Sequence, residues 1–146
     1  HTIGGTPDYG RAIMLKVNQN DPRAGLEFYK VVDFPGNMTK FTIGYDEVSK
    51  QYYALVNRVT SENLKQRNIL TLVSSPDLIH WENRRDVLNH EDNGWPEDST
   101  KAAFQYVDWL FEGDNIIAVS RTAINGAYNY HNANHITFHR FRNFRR

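Results

Sequence analysis

Two arginines, Arg58 and Arg121, each close a run of β-type residues: FTIGYDEVSKQYYALVNR ends on the first and FQYVDWLFEGDNIIAVSR on the second. A guanidinium is a rigid fork of donors that grips a carboxylate through two parallel bonds. Two forks at equivalent positions suit an acidic ligand; the plainer alternative is that each pairs with an acid of a neighbouring element. Asp108 sits among Tyr106, Val107, Trp109 and Leu110. Burial there raises a carboxyl pKa and suits it to proton transfer; a buried Asp bound to Arg or backbone is the alternative. Glu91, Asp92, Glu97 and Asp98 stand in the polar loop NHEDNGWPEDST, with Trp95 between Gly94 and Pro96. Glycosidic hydrolysis commonly uses two carboxylates, roughly 5–5.5 Å apart for retention and 6.5–9.5 Å for inversion. The loop offers candidates for one of them, though each is more often a solvated charge. Trp95 can stack on a sugar ring or pack beneath its loop. Tyr128, Tyr130, His131, Asn132 and Asn134 crowd one further loop. There Tyr and Asn can bond hydroxyls and His can carry a proton near neutral pH. His131, His135 and His139 also raise a metal reading. His135 and His139 are four apart in a strand, about 13 Å by strand rise, too far to share one ion. No metal and no cofactor is therefore expected, and no Gly-rich phosphate loop is present.

The elements that must hold these groups are strands. Nine segments read as β: Arg11–Val17, Leu26–Phe34, Lys40–Tyr45, Gln51–Val59, Asn68–Val73, Glu82–Leu88, Ala103–Phe111, Asn115–Arg121 and Asn134–Phe141. Turn clusters such as NQNDPRAG and Pro35-Gly36 separate them. No segment of ten or more residues carries a helical stripe, so the class is all-β. In SSPDLIHW, Pro76 ends a strand, Asp77 can fold back on backbone N–H groups as in an Asx turn, and Trp81 can cover that turn from the core side. The 146 residues suffice for one domain with one core. Zero formal charge offers no field toward nucleic acid or an anionic membrane. The absence of cysteine excludes disulfides and thiolate metal sites. No apolar run reaches the length of a membrane span. No signal peptide is visible, and the chain begins at His1, as a processed or truncated piece does.

The strands repeat. Phe41–Arg58 matches Phe104–Arg121 at a constant offset of 63 positions without a gap, and NILTL at Asn68 matches NHITF at Asn134. A repeat of this size built from four short antiparallel strands is the mark of a β-propeller. The complete unit runs over residues 40–88, with strands A to D; residues 11–34 supply the end of one unit, and residues 103–146 a last one that lacks its fourth strand. The sequence thus predicts a partial propeller, about two and a half blades, whereas rings close with four to eight. The missing blades belong to a longer parent chain or to a second copy. A two-layer sandwich is the structural alternative.

Four phrases resemble a bacterial group of sialidase-like glycoside hydrolase propellers: residues 34–58, FPGNMTKFTIGYDEVSKQYYALVNR; residues 68–84, NILTLVSSPDLIHWENR; residues 103–123, AFQYVDWLFEGDNIIAVSRTA; and residues 131–145, HNANHITFHRFRNFR. The turn S-x-D-L-x-x-W resembles a shortened sialidase Asp box, without the Gly and Thr of the full motif. The resemblance implies a five- or six-bladed ring in an exported protein, secreted or periplasmic, acting on a glycan end. It places substrate on the face built by the loops after strands B and D, and the Asp77 turn on the opposite face, as structure. On the substrate face Arg121 and Arg58 would hold charged or hydroxyl groups, as sialidase arginines hold a carboxylate. Asp108 would assist proton transfer from an inner strand beside the axial channel. Tyr130, His131, Asn132 and Trp95 would line the subsite, although the family pattern carries an acid where this chain has Asn132. Other catalytic groups would come from the missing blades. The competing functions are a non-catalytic carbohydrate-binding propeller and a scaffold for protein partners.

Overall fold

The structure is a computed structural model that describes residues 10–92, 94 and 98–146. It contains nine strands: β1 (Arg11–Lys16), β2 (Glu27–Asp33), β3 (Ile43–Asp46), β4 (Gln51–Asn57), β5 (Ile69–Ser75), β6 (Glu82–Asn89), β7 (Ala103–Glu112), β8 (Asn115–Ala123) and β9 (His135–Phe141). All nine lie where the sequence predicts them, and no helix occurs among the described residues. One difference is local: Lys40 to Thr42 precede β3 rather than open it, and the Thr42 carbonyl accepts the Trp109 indole N–H (3.3 Å).

Neighbours in sequence pair antiparallel into three sheets, β1–β2, β3–β4–β5–β6 and β7–β8–β9. The described residues form no closed ring. The middle sheet is covered on both faces, which is why every residue of β5 is buried. On one face Ala54, Val56 and Val73 meet Phe34 and Ala12 from the first sheet, with Trp81 at the edge. On the other, Tyr53, Leu55, Leu70 and Leu72 meet Phe104, Val107, Trp109, Ile116, Ala118 and Phe141 from the last sheet. Trp109 crosses so close to β3 that a Cβ on Gly44 would stand 2.6 Å from its ring.

That packing corrects the ungapped repeat. Strand side chains alternate between faces, so an odd shift exchanges inside and outside. The offset of 63 equates Tyr53 with Ile116, yet these two point toward each other across one core. Matching the faces that look the same way round the stack equates Leu55 with Val119, 64 positions on, and Leu72 with Phe138, 66 positions on. The NILTL–NHITF match already has the right parity. The two extra positions lie in the connection that follows: Leu55 pairs with Leu72, 17 positions on, and Val119 with Phe138, 19 positions on.

The β5–β6 turn is built as the sequence predicts. Asp77 Oδ1 accepts the N–H groups of Ile79 (2.9 Å) and His80 (2.8 Å), and the Trp81 indole donates to the Leu78 carbonyl (3.0 Å). Trp81 stands edge-on to Phe34, with ring centroids 4.9 Å apart. No helix of the described residues is long and apolar enough to cross a membrane.

Candidate cationic site at the strand ends

β4 and β8 finish, and β5 and β7 begin, at the same end of the stack. A buried amide ties them together. Asn57 Nδ2 reaches the carbonyls of Phe104 (2.7 Å), Arg67 (3.2 Å) and Ile69 (3.2 Å). The Phe104 N–H in turn donates to the Arg67 carbonyl (2.9 Å). The start of β7 is thereby fixed against the segment that carries Arg67. Gln66, buried below it, holds the preceding loop by accepting the Thr60 N–H (2.8 Å) and Ser61 hydroxyl (3.1 Å).

Just inside this end β7 bulges between Gln105 and Asp108. Phe104 and Val107 both enter the core, although three positions apart, so one residue must be extra. Gln105 turns inward, fully buried. Its amide donates to the carbonyls of Tyr130 (2.7 Å) and His131 (3.3 Å), and its oxygen accepts from Arg67 Nη1. Tyr106 turns outward. Arg121 lies over its ring at 5.4 Å from the centroid, and the Lys40 ammonium at 5.7 Å. Arg121 also donates to the His131 carbonyl (3.1 Å). Arg67 lies over the Tyr130 ring at 5.3 Å, and its Nη1 is 3.5 Å from His131 Nδ1. The β8–β9 loop carrying these rings is shaped by Asn129, whose Oδ1 accepts the N–H groups of His131 (2.8 Å) and Asn132 (2.9 Å).

Three cations, Lys40, Arg67 and Arg121, thus gather around two tyrosines and a histidine. Among the described residues none of the three forms an ion pair. The Arg67 Nε is buried with no hydrogen-bond partner. Cations without carboxylate partners raise the local positive potential. No family model, curated protein or solved structure matches this chain.

Of the residues singled out in the sequence, Arg121, Tyr130 and His131 come together here, and Asn132 lies exposed beside them. Arg58 does not join them. Its fork takes both oxygens of Asp86, with Nε–Oδ1 at 3.0 Å, while Thr71 donates to the same carboxylate (2.6 Å). Burial pushes the Asp86 carboxyl up, but those bonds outweigh it and hold it below its usual range. The corrected repeat gives the reason: Arg121 corresponds to Asn57, and Arg58 to Thr122, so the two arginines leave opposite faces of their sheets.

Asp108 also departs from expectation. It is exposed rather than desolvated, because the bulge sets it on the outer face of β7 beside Leu110, and its Oδ1 accepts the Trp109 N–H (3.0 Å). In the polar loop, Asp98 accepts the Thr100 N–H (2.8 Å) and is held below the usual carboxylate range chiefly by the Thr100 hydroxyl. Glu91 and Asp92 are exposed; Trp95 and Glu97 lie outside the described residues. His135 meets Asn134 (2.9 Å) and His139 meets Thr137 (2.7 Å). No group of three or more metal-ligating side chains assembles among the described residues. Lys40 and Arg67 end two loops expected on the substrate face, 35–40 and 58–67, but were not singled out there, and neither were Gln105 and Tyr106. The odd spacing of Phe104 and Val107 was the one available signal for the last two.

Proposed function

We propose that the chain is the anion-holding part of a carbohydrate-active β-propeller, and that the cluster of Lys40, Arg67 and Arg121 takes the acidic end of a glycan. The observation carrying this is the absence of an ion-pair partner for any of the three cations among the described residues. Aromatic rings and loop amides around them suit a sugar better than a bare ion. The three sheets are read as consecutive blades. Supporting this, Val119, Ile136 and Phe138 on the outer face of the last sheet correspond to Leu55, Leu70 and Leu72, which in the middle sheet are buried by the following sheet. A longer polypeptide or a second copy supplies the remaining blades.

In this reading the complete ring is a glycoside hydrolase of sialidase-like type. Arg121 and Arg67 hold the substrate, Tyr130 and His131 line it, and proton transfer belongs to groups outside the cluster; Asp108 and Arg58 take no part. A non-catalytic carbohydrate-binding propeller is the second reading, favoured by one observation: among the described residues no carboxylate pairs with the clustered cations.

Calorimetric titration with the methyl glycosides of N-acetylneuraminic acid, glucuronic acid and galactose tests the proposal. The acids should bind in preference to the neutral sugar. Arg121→Ala and Arg67→Ala should each weaken the acids about tenfold or more, since hydrogen bonds to charged groups contribute about 1.5–3 kcal/mol. Equal affinity for acidic and neutral sugars would refute it. Turnover of aryl glycosides by the completed ring separates the hydrolase from the binding module.

A further inference from the structure

Tyr106 occupies a conformation its residue type resists. Its φ is +51°, in the left-handed region where bulky side chains are rare. A bulge position of this kind is usually filled by glycine, which has no Cβ to clash. Burial does not compensate, because Tyr106 is 37% exposed. The bulge itself needs one extra residue to restore the alternation between Phe104 and Val107, and it needs nothing of that residue's side chain. Gln105, not Tyr106, makes the bonds that anchor the β8–β9 loop. What the tyrosine adds is a ring with Arg121 of β8 at 5.4 Å and Lys40, from the segment before β3, at 5.7 Å. Those contacts keep the two charges within about 11 Å of each other.

We propose that Tyr106 is a positioning residue: the strained bulge holds its ring within cation–π reach of both Lys40 and Arg121, so that the acidic group of a sugar is drawn between a side chain of β8 and one of the segment before β3. This rests on the reading of the cation cluster as the seat of an acidic glycan. Strain retained at an exposed aromatic is a mark of function rather than of folding.

The test uses the whole chain, its Tyr106→Phe and Tyr106→Gly variants, and the same methyl glycosides. Tyr106→Phe keeps the ring and should bind the acids within about twofold of the parent. Tyr106→Gly removes the ring and relieves the backbone. It should lose about tenfold in preference for acid over neutral sugar, on the scale of two cation–π contacts, while melting no lower than the parent. A role in folding alone predicts the reverse, a lower melting temperature with the preference intact. If Tyr106→Gly keeps the parent's preference, this inference fails and the cluster reading stands. If the parent itself shows no preference for either acid, both fail.

Discussion

At the scale of single residues, charge compensation separates structure from function. Arg145 and Arg121 are both cations at strand ends, with opposite fates. Arg145 grips buried Asp46 through Nε (2.7 Å) and Nη2 (2.7 Å) and reaches Asp114 (2.5 Å), tying the end of the chain to two hairpins. Its guanidinium, chiefly, holds the Asp46 carboxyl far below the usual range, with help from Ser49. Arg145→Ala leaves that carboxylate buried and short of partners, and should cost about 3 kcal/mol in chemical denaturation. A depressed carboxyl pKa stabilises the fold above the unfolded value of 3.8 and is lost as pH falls below it. Melting temperature should therefore drop steeply in acid, and the drop should be shallower in Asp46→Asn. His139 acts in a separate window. Half-buried and stacked on Phe141, its ring is pushed by burial below its ordinary 6.5. The fold favours the neutral ring, so stability is full above that value and declines as pH falls through it. His139→Phe keeps the stacking and should flatten the dependence of melting temperature on pH between about 7 and 5, leaving the steeper acid limb to the depressed carboxylates, buried Asp46 first among them.

Elements explain which parts of the molecule were legible. Strand positions follow from local alternation and turn chemistry, and all nine could be read. The Asp77 turn could be read too, because its donors and acceptor lie within a few residues of one another. The pairing of faces could not, since a one-residue slip leaves the letters similar while reversing every side chain. The ungapped repeat made Arg58 and Arg121 equivalent; packing assigns Arg58 to Asp86 and Arg121 to the His131 carbonyl and the Tyr106 ring, with no carboxylate partner among the described residues. The loops that end on Lys40 and Arg67 were expected on the substrate face, but neither residue stood out within them, because their roles arise only where connecting segments from different parts of the chain converge. The contact of Gly44 with Trp109 tests this packing. Gly44→Ala puts a methyl where the indole lies, and overpacking of this kind costs about 1–3 kcal/mol. In Trp109→Leu the 2.6 Å clash is gone, only Phe111 stays close at 3.2 Å, and the same change should cost less. A double-mutant cycle by urea denaturation measures the coupling; additive effects would mean that the middle and last sheets do not meet as described.

For the whole molecule, the deciding quantity is surface. Exposed apolar side chains gather on the two outermost sheets. On the last sheet Leu110, Val119, Ile136 and Phe138 are 68%, 45%, 73% and 62% exposed, and on the first Ile13, Leu15 and Phe28 are 54%, 49% and 66%. Apolar area gathered on the two outermost sheets of a stack is open to association. The chain on its own should therefore associate with rising concentration through these faces. Phe138→Lys with Ile136→Thr should suppress that association in sedimentation velocity and leave the melting temperature nearly unchanged, because both side chains point away from the core. Association that survives both changes would move the sticky surface to the first sheet, where Phe28→Lys is the matching probe. If neither variant shifts it, the outer faces are not blade faces, and the cation cluster must be understood without a ring around it.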